Sequence, residues 1–296
     1  MAGSATMTDV TELDVPAEGS ELGGIHTGVE TNPSGTLAVV LLSGAAIAVA
    51  ARSGAVALVC VIGLLQVLFA AAWVYGTSLQ GRKGALVIGV GAAAASDAVV
   101  SVFPHSQLGD LVAVFGLAVP AMFVHQLMRG AARVRVIESL SGVATLVVCS
   151  VAVASLIQLR HEFPAPIGGR IVSAVAVIAV AAIAAAAFTD MVVAFPRFDE
   201  DVPRGLVAIL AAAVVGAALG QLMLTPGNGF AGGRGAFAGA GLGAIVALLA
   251  VAAAFVEQST PLPPSPSRRL RPVMVGLMPL LLVAPVGFLI CLSLRS

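Results

Sequence analysis

The chain has 296 residues, of which 59% are hydrophobic and only 10% are charged, and its mean hydropathy is +1.05. Because a typical soluble domain is about 25% charged, this composition excludes a soluble globular protein and indicates an integral membrane protein. The formal net charge is zero and no basic patch interleaved with aromatic residues is present, so we expect no binding to nucleic acid.

Residues 1–34 form an acidic leader that differs from the rest of the chain. The leader has no Lys, no Arg and no apolar periodicity, and its carboxylates are Asp9, Glu12, Asp14, Glu18, Glu21 and Glu30. Such a segment cannot bury enough apolar surface to fold, so we expect a disordered cytoplasmic tail. It also lacks the basic start and apolar core of a secretory signal. The leader is either a solvated segment or a peptide that binds a cytoplasmic partner.

Nine apolar runs of 16 to 25 residues follow the leader. A helix rises about 1.5 Å per residue, so runs of this length cross a hydrocarbon core of about 30 Å. The runs are Thr36–Ala51, Gly54–Tyr75, Ala85–Phe103, Leu111–Met128, Val136–Ile157, Ile171–Phe195, Leu206–Leu224, Ala236–Val256 and Val273–Leu294. We therefore predict an all-α fold, a polytopic transmembrane bundle of nine helices over residues 35–296. The first run is the shortest, and with the second it forms either a tight hairpin or a partly re-entrant element.

Lys and Arg are distributed unequally between alternate loops. Ten lie in the loops after the second, fourth, sixth and eighth runs, and five lie on the other side. The basic loops contain Arg82, Lys83, Arg129, Arg133, Arg135, Arg268, Arg269 and Arg271, among others. Because short loops rich in Lys and Arg stay in the cytoplasm, we predict a cytoplasmic N-terminus and a C-terminus outside the cell membrane. The four helical hairpins that turn on these basic loops resemble one another in sequence. The likeness reflects either internal duplication or chance in an alanine-rich chain.

Two pairs of glycines predict close helix packing. Gly216 and Gly220 lie in the seventh run, and Gly239 and Gly243 lie in the eighth. A spacing of four residues puts both glycines of a pair on one helix face, where two backbones can approach closely. We expect these two helices to pack tightly.

Asp97 is the strongest candidate for a functional residue within the membrane. Polar residues inside a bilayer are costly and often functional. Asp97 lies about 18 Å along the third run, and no predicted span contains a Lys or Arg to pair with it. It is therefore protonated, hydrated in a cavity, or hydrogen-bonded to a neighbour such as Ser96 or Ser101. Its role is either to carry a proton or substrate, or purely structural.

A second set of polar candidates lies near the predicted cytoplasmic ends of the helices. The set comprises His125, Asp190 and Glu257, together with Gln126 and Tyr75. These side chains either surround one vestibule or reach separately into the headgroup region.

Catalytic and metal-binding motifs are missing from the sequence. Cys60, Cys149 and Cys291 lie in separate runs without metal-ligand spacing, and no nucleophile elbow or His-Glu-x-x-His motif occurs. The acidic run at 199–201 is either a weak divalent-cation site or a solvated loop. We expect no catalytic residue, no bound metal and no cofactor.

The stretch Ala121–Arg135, followed by Glu138-Ser139-Leu140-Ser141-Gly142, resembles the phosphatidate cytidylyltransferase family. That family makes a liponucleotide from phosphatidic acid and CTP with magnesium. Its Lys-rich stretch and its later Gly-Gly-x-x-Asp-Arg-x-Asp motif have no counterpart here. The resemblance therefore does not imply the activity.

The acidic leader, the Ala/Val/Gly-rich body and the Phe-Val-His-Gln-Leu turn at 123–127 are similar to the SepX family of actinobacterial multi-pass membrane proteins. This resemblance implies a non-enzymatic scaffold in cell division or septation. Its leader would bind a cytoplasmic division or polarity protein, and its membrane-spanning body would contact membrane lipids. The protein is either a monomer or an oligomer. The alternatives are a small transporter or lipid flippase that uses Asp97, and a lipid-headgroup enzyme that needs His125, Asp190 and Glu257 in one pocket.

Overall fold

The computed structural model describes residues 33–103, 108–129, 135–193, 205–230, 232–260 and 267–294. Of these residues 88% are helical and none lies in a β-strand. The predicted all-α class is therefore confirmed for the described part of the chain. The acidic leader, Arg133 and the acidic run at 199–201 lie outside the described residues.

Ten α-helices make up the described part of the bundle. They are α1 (Pro33–Ser53), α2 (Ala55–Gly76), α3 (Arg82–Val102), α4 (Asp110–Met128), α5 (Val136–Ala152), α6 (Ser155–His161), α7 (Ile167–Val192), α8 (Leu206–Met223), α9 (Arg234–Ser259) and α10 (Arg271–Leu294). Short 3₁₀ helices lie at Pro226–Asn228 and Ser267–Leu270. Within the described ranges, nine helical segments are long and apolar enough to cross a membrane, with α5 and α6 together forming one of them.

The first helix is longer than its apolar run suggests. α1 begins at Pro33 and has 21 residues, which corresponds to about 31 Å of helix. Proline suits the first position of a helix because its missing N–H has no acceptor there in any case. α1 packs against α7 and α10 as well as α2. Its length is that of a full spanning helix.

The fifth predicted run is interrupted between α5 and α6. The amide nitrogens of Leu156 and Ile157 bond to the carbonyls three residues earlier, which tightens the chain locally. The Ser155 hydroxyl also donates to the Ala152 carbonyl at 2.7 Å. A serine bonded to the preceding turn in this way bends a helix. α6 packs against α7 and α10.

Close backbone contact joins α8 to α9. A methyl group added to Gly216 would overlap the carbonyl oxygen of Gly239, and one added to Gly243 would overlap that of Ala212. Gly220 lies in the same way against Gly235. The four glycines singled out in the sequence therefore lie in this interface, where only hydrogen fits.

The bundle has two distinct ends. Trp73 of α2, Arg135 before α5 and Thr260 after α9 border one cavity, so these turns meet at the same end. We call it the basic end; its described cations are Arg82, Lys83, Arg129, Arg135, Arg268, Arg269 and Arg271. At the opposite end, Ala55 at the start of α2 and Ser101 at the end of α3 border another cavity.

Candidate functional site

A buried polar cluster joins α2, α3 and α5. The Gln66 side-chain nitrogen donates to Asp97 Oδ1 at 3.1 Å and to the backbone carbonyl of Ser150 at 2.8 Å. Gln66 is 1% exposed, Asp97 is 9% exposed and Ser150 is fully buried. A single amide group therefore connects three helices in the interior.

The structure gives Asp97 a different partner from those expected. Ser96 is buried beside it, but its hydroxyl donates to the Ala93 carbonyl of its own helix at 2.8 Å. The second carboxylate oxygen of Asp97 faces Gly63 of α2, where an added Cβ would lie 3.8 Å away. Gln66 was not singled out from the sequence, although a lone amide within an apolar run is a signal for an interhelical hydrogen bond.

Asp97 is surrounded by neutral groups. Among the described residues, no Lys or Arg lies within ion-pair distance of Asp97, and Arg135 pairs with Glu138 at the basic end. No group of three or more His, Cys, Asp and Glu side chains converges within the described ranges. The described surroundings of this carboxyl therefore provide hydrogen-bond partners but no counter-charge.

Two atoms of the cluster have unused hydrogen-bonding capacity. Gln66 Oε1 and the Ser150 hydroxyl are buried, and no described residue bonds to them. Buried polar groups are normally paired, and each unpaired one costs about 1–3 kcal/mol. A water molecule, or a polar group of a ligand, would therefore be stabilised beside Asp97.

A cavity of about 440 Å³ lies at the opposite end of the bundle, close to this cluster. It is lined by Ala55, Ser101, Arg160, His161, Phe163, Ala165 and Gly169. Ser101 follows Asp97 by four residues on α3, so the two share a helix face and lie about 6 Å apart along the axis. The cavity thus ends one helical turn from Asp97.

The wall of this cavity is cationic and held in place by hydrogen bonds. The Arg160 guanidinium donates to the carbonyl of Ala51 in α1. It also crosses closely over Gly169, where a methyl group would overlap it. Arg52 donates to the Ser173 hydroxyl at 3.1 Å, which fixes α1 against α7 at the same end.

The second set of candidates does not form one vestibule among the described cavities. His125 lies at the end of α4 in a cavity with the α2–α3 turn, and neither Asp190 nor Glu257 lines that cavity. Asp190 Oδ1 instead accepts from the Gly205 amide at 3.2 Å. α4 packs against α3 and α5, whereas α7 and α9, which carry Asp190 and Glu257, pack against each other and against α8. Among the described residues, the structure therefore does not bring His125 into one cavity with Asp190 and Glu257.

The basic residues differ in their surroundings. Arg82 lies over the Tyr75 ring at 5.8 Å, and Arg268 and Arg269 are exposed. Arg271, by contrast, is 3% exposed and donates to the carbonyls of Glu257 and Thr260, each at 2.7 Å. Arg271 therefore caps the end of α9 rather than lying free in a loop.

No known protein family, curated protein sequence or solved structure matches this chain. The chemistry of the site therefore has to be inferred from its own side chains.

Proposed function

We propose that this protein is a small transporter of the cell membrane in which Asp97 takes up and releases a proton. The nine apolar helices support the membrane location. The excess of Lys and Arg at the basic end supports an orientation with that end and the N-terminus in the cytoplasm, and Ser296 outside.

The main support for this proposal is the hydrogen bond from Gln66 to Asp97. An amide N–H can be donated to a carboxylate oxygen, where the bond is stronger, and also to the carbonyl oxygen of a protonated carboxyl. An Arg or Lys partner would instead favour the charged form. The neutral surroundings of Asp97 are therefore compatible with both protonation states, as a proton carrier requires.

A proton fits this site better than a metal ion. Divalent cations in proteins are usually held by several carboxylate, imidazole or thiolate ligands. Asp97 is accompanied by one amide and a serine carbonyl. A carboxyl binds a proton without further ligands.

The cavity beyond Ser101 provides an entrance for a solute. Its volume of about 440 Å³ is within the usual range of about 300–1,000 Å³ for small-molecule sites. The Arg160 guanidinium and His161 on its wall favour a solute that carries an anionic group. Solute and proton would then meet within one helical turn.

Solute-driven proton movement in proteoliposomes tests this function. Vesicles with an entrapped pH-sensitive dye are exposed to a panel of carboxylates, amino acids, phosphate esters and sugars. We expect Asp97→Asn to abolish the coupled pH change and Asp97→Glu to keep part of it. Asp110→Asn, the same chemical change at an exposed position, is the matched control. Equal activity of Asp97→Asn and the unmodified protein would reject the proposal.

A scaffold role in division or septation is the second candidate. It is supported by the acidic leader, which has six carboxylates and neither Lys nor Arg. We expect a fluorescent fusion of the full chain to gather at septa or poles, and removal of residues 1–34 to disperse it. A uniform membrane signal in both forms would contradict the scaffold role. Neither candidate function is enzymatic.

A further inference from the structure

A second cavity lies at the basic end, away from Asp97. It has a volume of about 520 Å³ and is open to the surface. Seven of its lining residues lie in the α2–α3 turn and the first turn of α3, and the eighth comes from the end of α4: Ser78, Leu79, Gln80, Gly81, Arg82, Lys83, Gly84 and His125. The proposed transport function does not use this cavity.

The charge on the cavity wall is positive. Arg82 and Lys83 belong to the lining and are exposed, which leaves their cationic groups hydrated and accessible. The aliphatic part of Arg129 lies against Gly81, 3.3 Å from where a Cβ would be. No Asp or Glu is among the lining residues. An anion is therefore the favoured occupant.

The cavity also offers hydrogen-bond donors. The Ser78 hydroxyl is buried and has no partner among the described residues. Gly81 has a left-handed conformation, with φ of 73°, and provides no side-chain cap for α3. The first amides of α3 are thus left for another acceptor, and a left-handed residue before a helix directs such amides into a concave surface.

A buried hydrogen-bond network holds this turn in place. Gln126 donates to the Ser139 hydroxyl at 2.9 Å, and that hydroxyl donates to the Gln80 carbonyl at 3.3 Å. Arg129 donates to the Gln126 side-chain oxygen at 2.8 Å. The network links α4, α5 and the α2–α3 turn, so the donors are positioned before any ligand arrives.

His125 completes the wall because two glycines make room for its ring. A methyl group on Gly84 would overlap the imidazole, and one on Gly81 would lie 2.8 Å from its Nε2 atom. The ring therefore lies directly against the backbone of the turn. This contact keeps the end of α4 beside the cationic residues.

We propose that this cavity binds a phosphate group, presented either by an anionic lipid headgroup or by a free phosphate compound. Phosphate oxygens accept hydrogen bonds from a hydroxyl and from backbone amides, while Arg and Lys neutralise their charge. At the basic end, next to the predicted membrane surface, both sources are within reach of the cavity.

Binding to the full-length protein in phosphatidylcholine nanodiscs tests this inference. The probes are inorganic phosphate, whose binding is measured by calorimetry, and short-chain phosphatidylglycerol, whose binding is measured by native mass spectrometry. We expect the double variant Arg82→Ala/Lys83→Ala to bind at least about tenfold more weakly to whichever probe binds the unmodified protein, because the variant loses charge-assisted hydrogen bonds. Arg268→Ala/Arg269→Ala removes the same charge at the same end outside the cavity, and we expect its binding to be unchanged.

The two probes distinguish the source of the phosphate. Binding of phosphatidylglycerol, with or without binding of inorganic phosphate, assigns the cavity to a lipid headgroup, whereas binding of inorganic phosphate without phosphatidylglycerol assigns it to a soluble compound. Ser78→Ala alters no charge, so weaker binding in this variant separates the cavity from diffuse attraction. The inference would be overturned if the two double variants lost equal amounts of binding affinity, or if neither probe bound to the unmodified protein. It would also be overturned if binding were unchanged both in Ser78→Ala and, separately, in Arg82→Ala/Lys83→Ala.

Discussion

Gln66 on α2 and Asp97 on α3 are joined by a hydrogen bond of 3.1 Å in the interior of the bundle. The same Gln66 nitrogen also bonds to the backbone carbonyl of Ser150 on α5 at 2.8 Å. A movement of α2 relative to α3 or α5 would therefore have to break or replace one of these bonds. We therefore expect the protonation state of Asp97 to affect the packing of these three helices.

Removal of this bond should reveal an interaction energy between the two residues. In a double-mutant cycle of Gln66→Leu and Asp97→Ala, we expect a coupling of about 0.6 kcal/mol, and at most about 1.7 kcal/mol, as for other interhelical hydrogen bonds in membranes. The free energies of unfolding would be measured in mixed micelles by titration with a denaturing detergent.

Ser96 provides the control for that cycle. Its hydroxyl bonds within its own helix, so Ser96→Ala and Gln66→Leu should be additive. A coupling for Ser96 as large as that for Asp97 would mean that the cycle measures general disruption of α3 and not this hydrogen bond.

Substitution of the interface glycines should destabilise the α8–α9 pair. In Gly216→Ala and Gly239→Ala, the new methyl group meets a carbonyl oxygen of the facing helix, so the backbones must separate. We expect a loss of about 1–3 kcal/mol in the free energy of unfolding, the usual cost of overpacking. Gly116→Ala on α4, where no described atom lies within 4 Å of the new group, should have little effect. Equal stability of all three variants would contradict this packing.

The fluorescence of the chain's single tryptophan should report a buried ring. Trp73 is 4% exposed, and its indole nitrogen donates to the Gly142 carbonyl at 2.8 Å. We therefore expect the emission maximum to lie at a shorter wavelength than that of free tryptophan, and quenching by acrylamide to be weak. On denaturation the emission should shift to longer wavelength and the quenching should increase. Emission and quenching like those of free tryptophan in the folded protein would exclude this contact.

Cysteine labelling tests the orientation of the two ends. Single cysteines are introduced as Ser53→Cys at the opposite end and Ser259→Cys at the basic end, after replacement of Cys60, Cys149 and Cys291 by alanine. A membrane-impermeant thiol reagent should label Ser53→Cys in intact cells and Ser259→Cys only in inverted vesicles. The reverse pattern would show that the basic end faces outward.

Much of the fold depends on local properties that can be recognised in the sequence. An apolar run of sufficient length predicts a helix without knowledge of its neighbours, and glycines four residues apart, such as Gly216 and Gly220, share a helix face by geometry alone. The break after Ala152 was missed because it lies within a continuous apolar run, with Ser155 as a weak signal.

The candidate site was only partly predictable because it depends on distant parts of the chain. Asp97 is recognisable as a carboxyl within an apolar run, but its partner Gln66 lies on another helix, and the Ser150 carbonyl that shares the Gln66 amide is 84 residues further along the chain. The grouping of Ser78 and Lys83 with His125 likewise requires knowledge of how α4 packs. The sequence predicts Arg271 as a loop cation, whereas the structure buries it against the end of α9, where it donates to the Glu257 carbonyl.

Infrared difference spectroscopy of the reconstituted protein tests whether Asp97 takes up and releases a proton. Spectra recorded at high and low pH should contain a carbonyl band from a protonated carboxyl in apolar surroundings. We expect this band to be lost in Asp97→Asn, shifted in Asp97→Glu and perturbed in Gln66→Leu, with Asp110→Asn unchanged. Identical difference spectra for Asp97→Asn and the unmodified protein would show that Asp97 does not exchange a proton, and would contradict the proposed transport function.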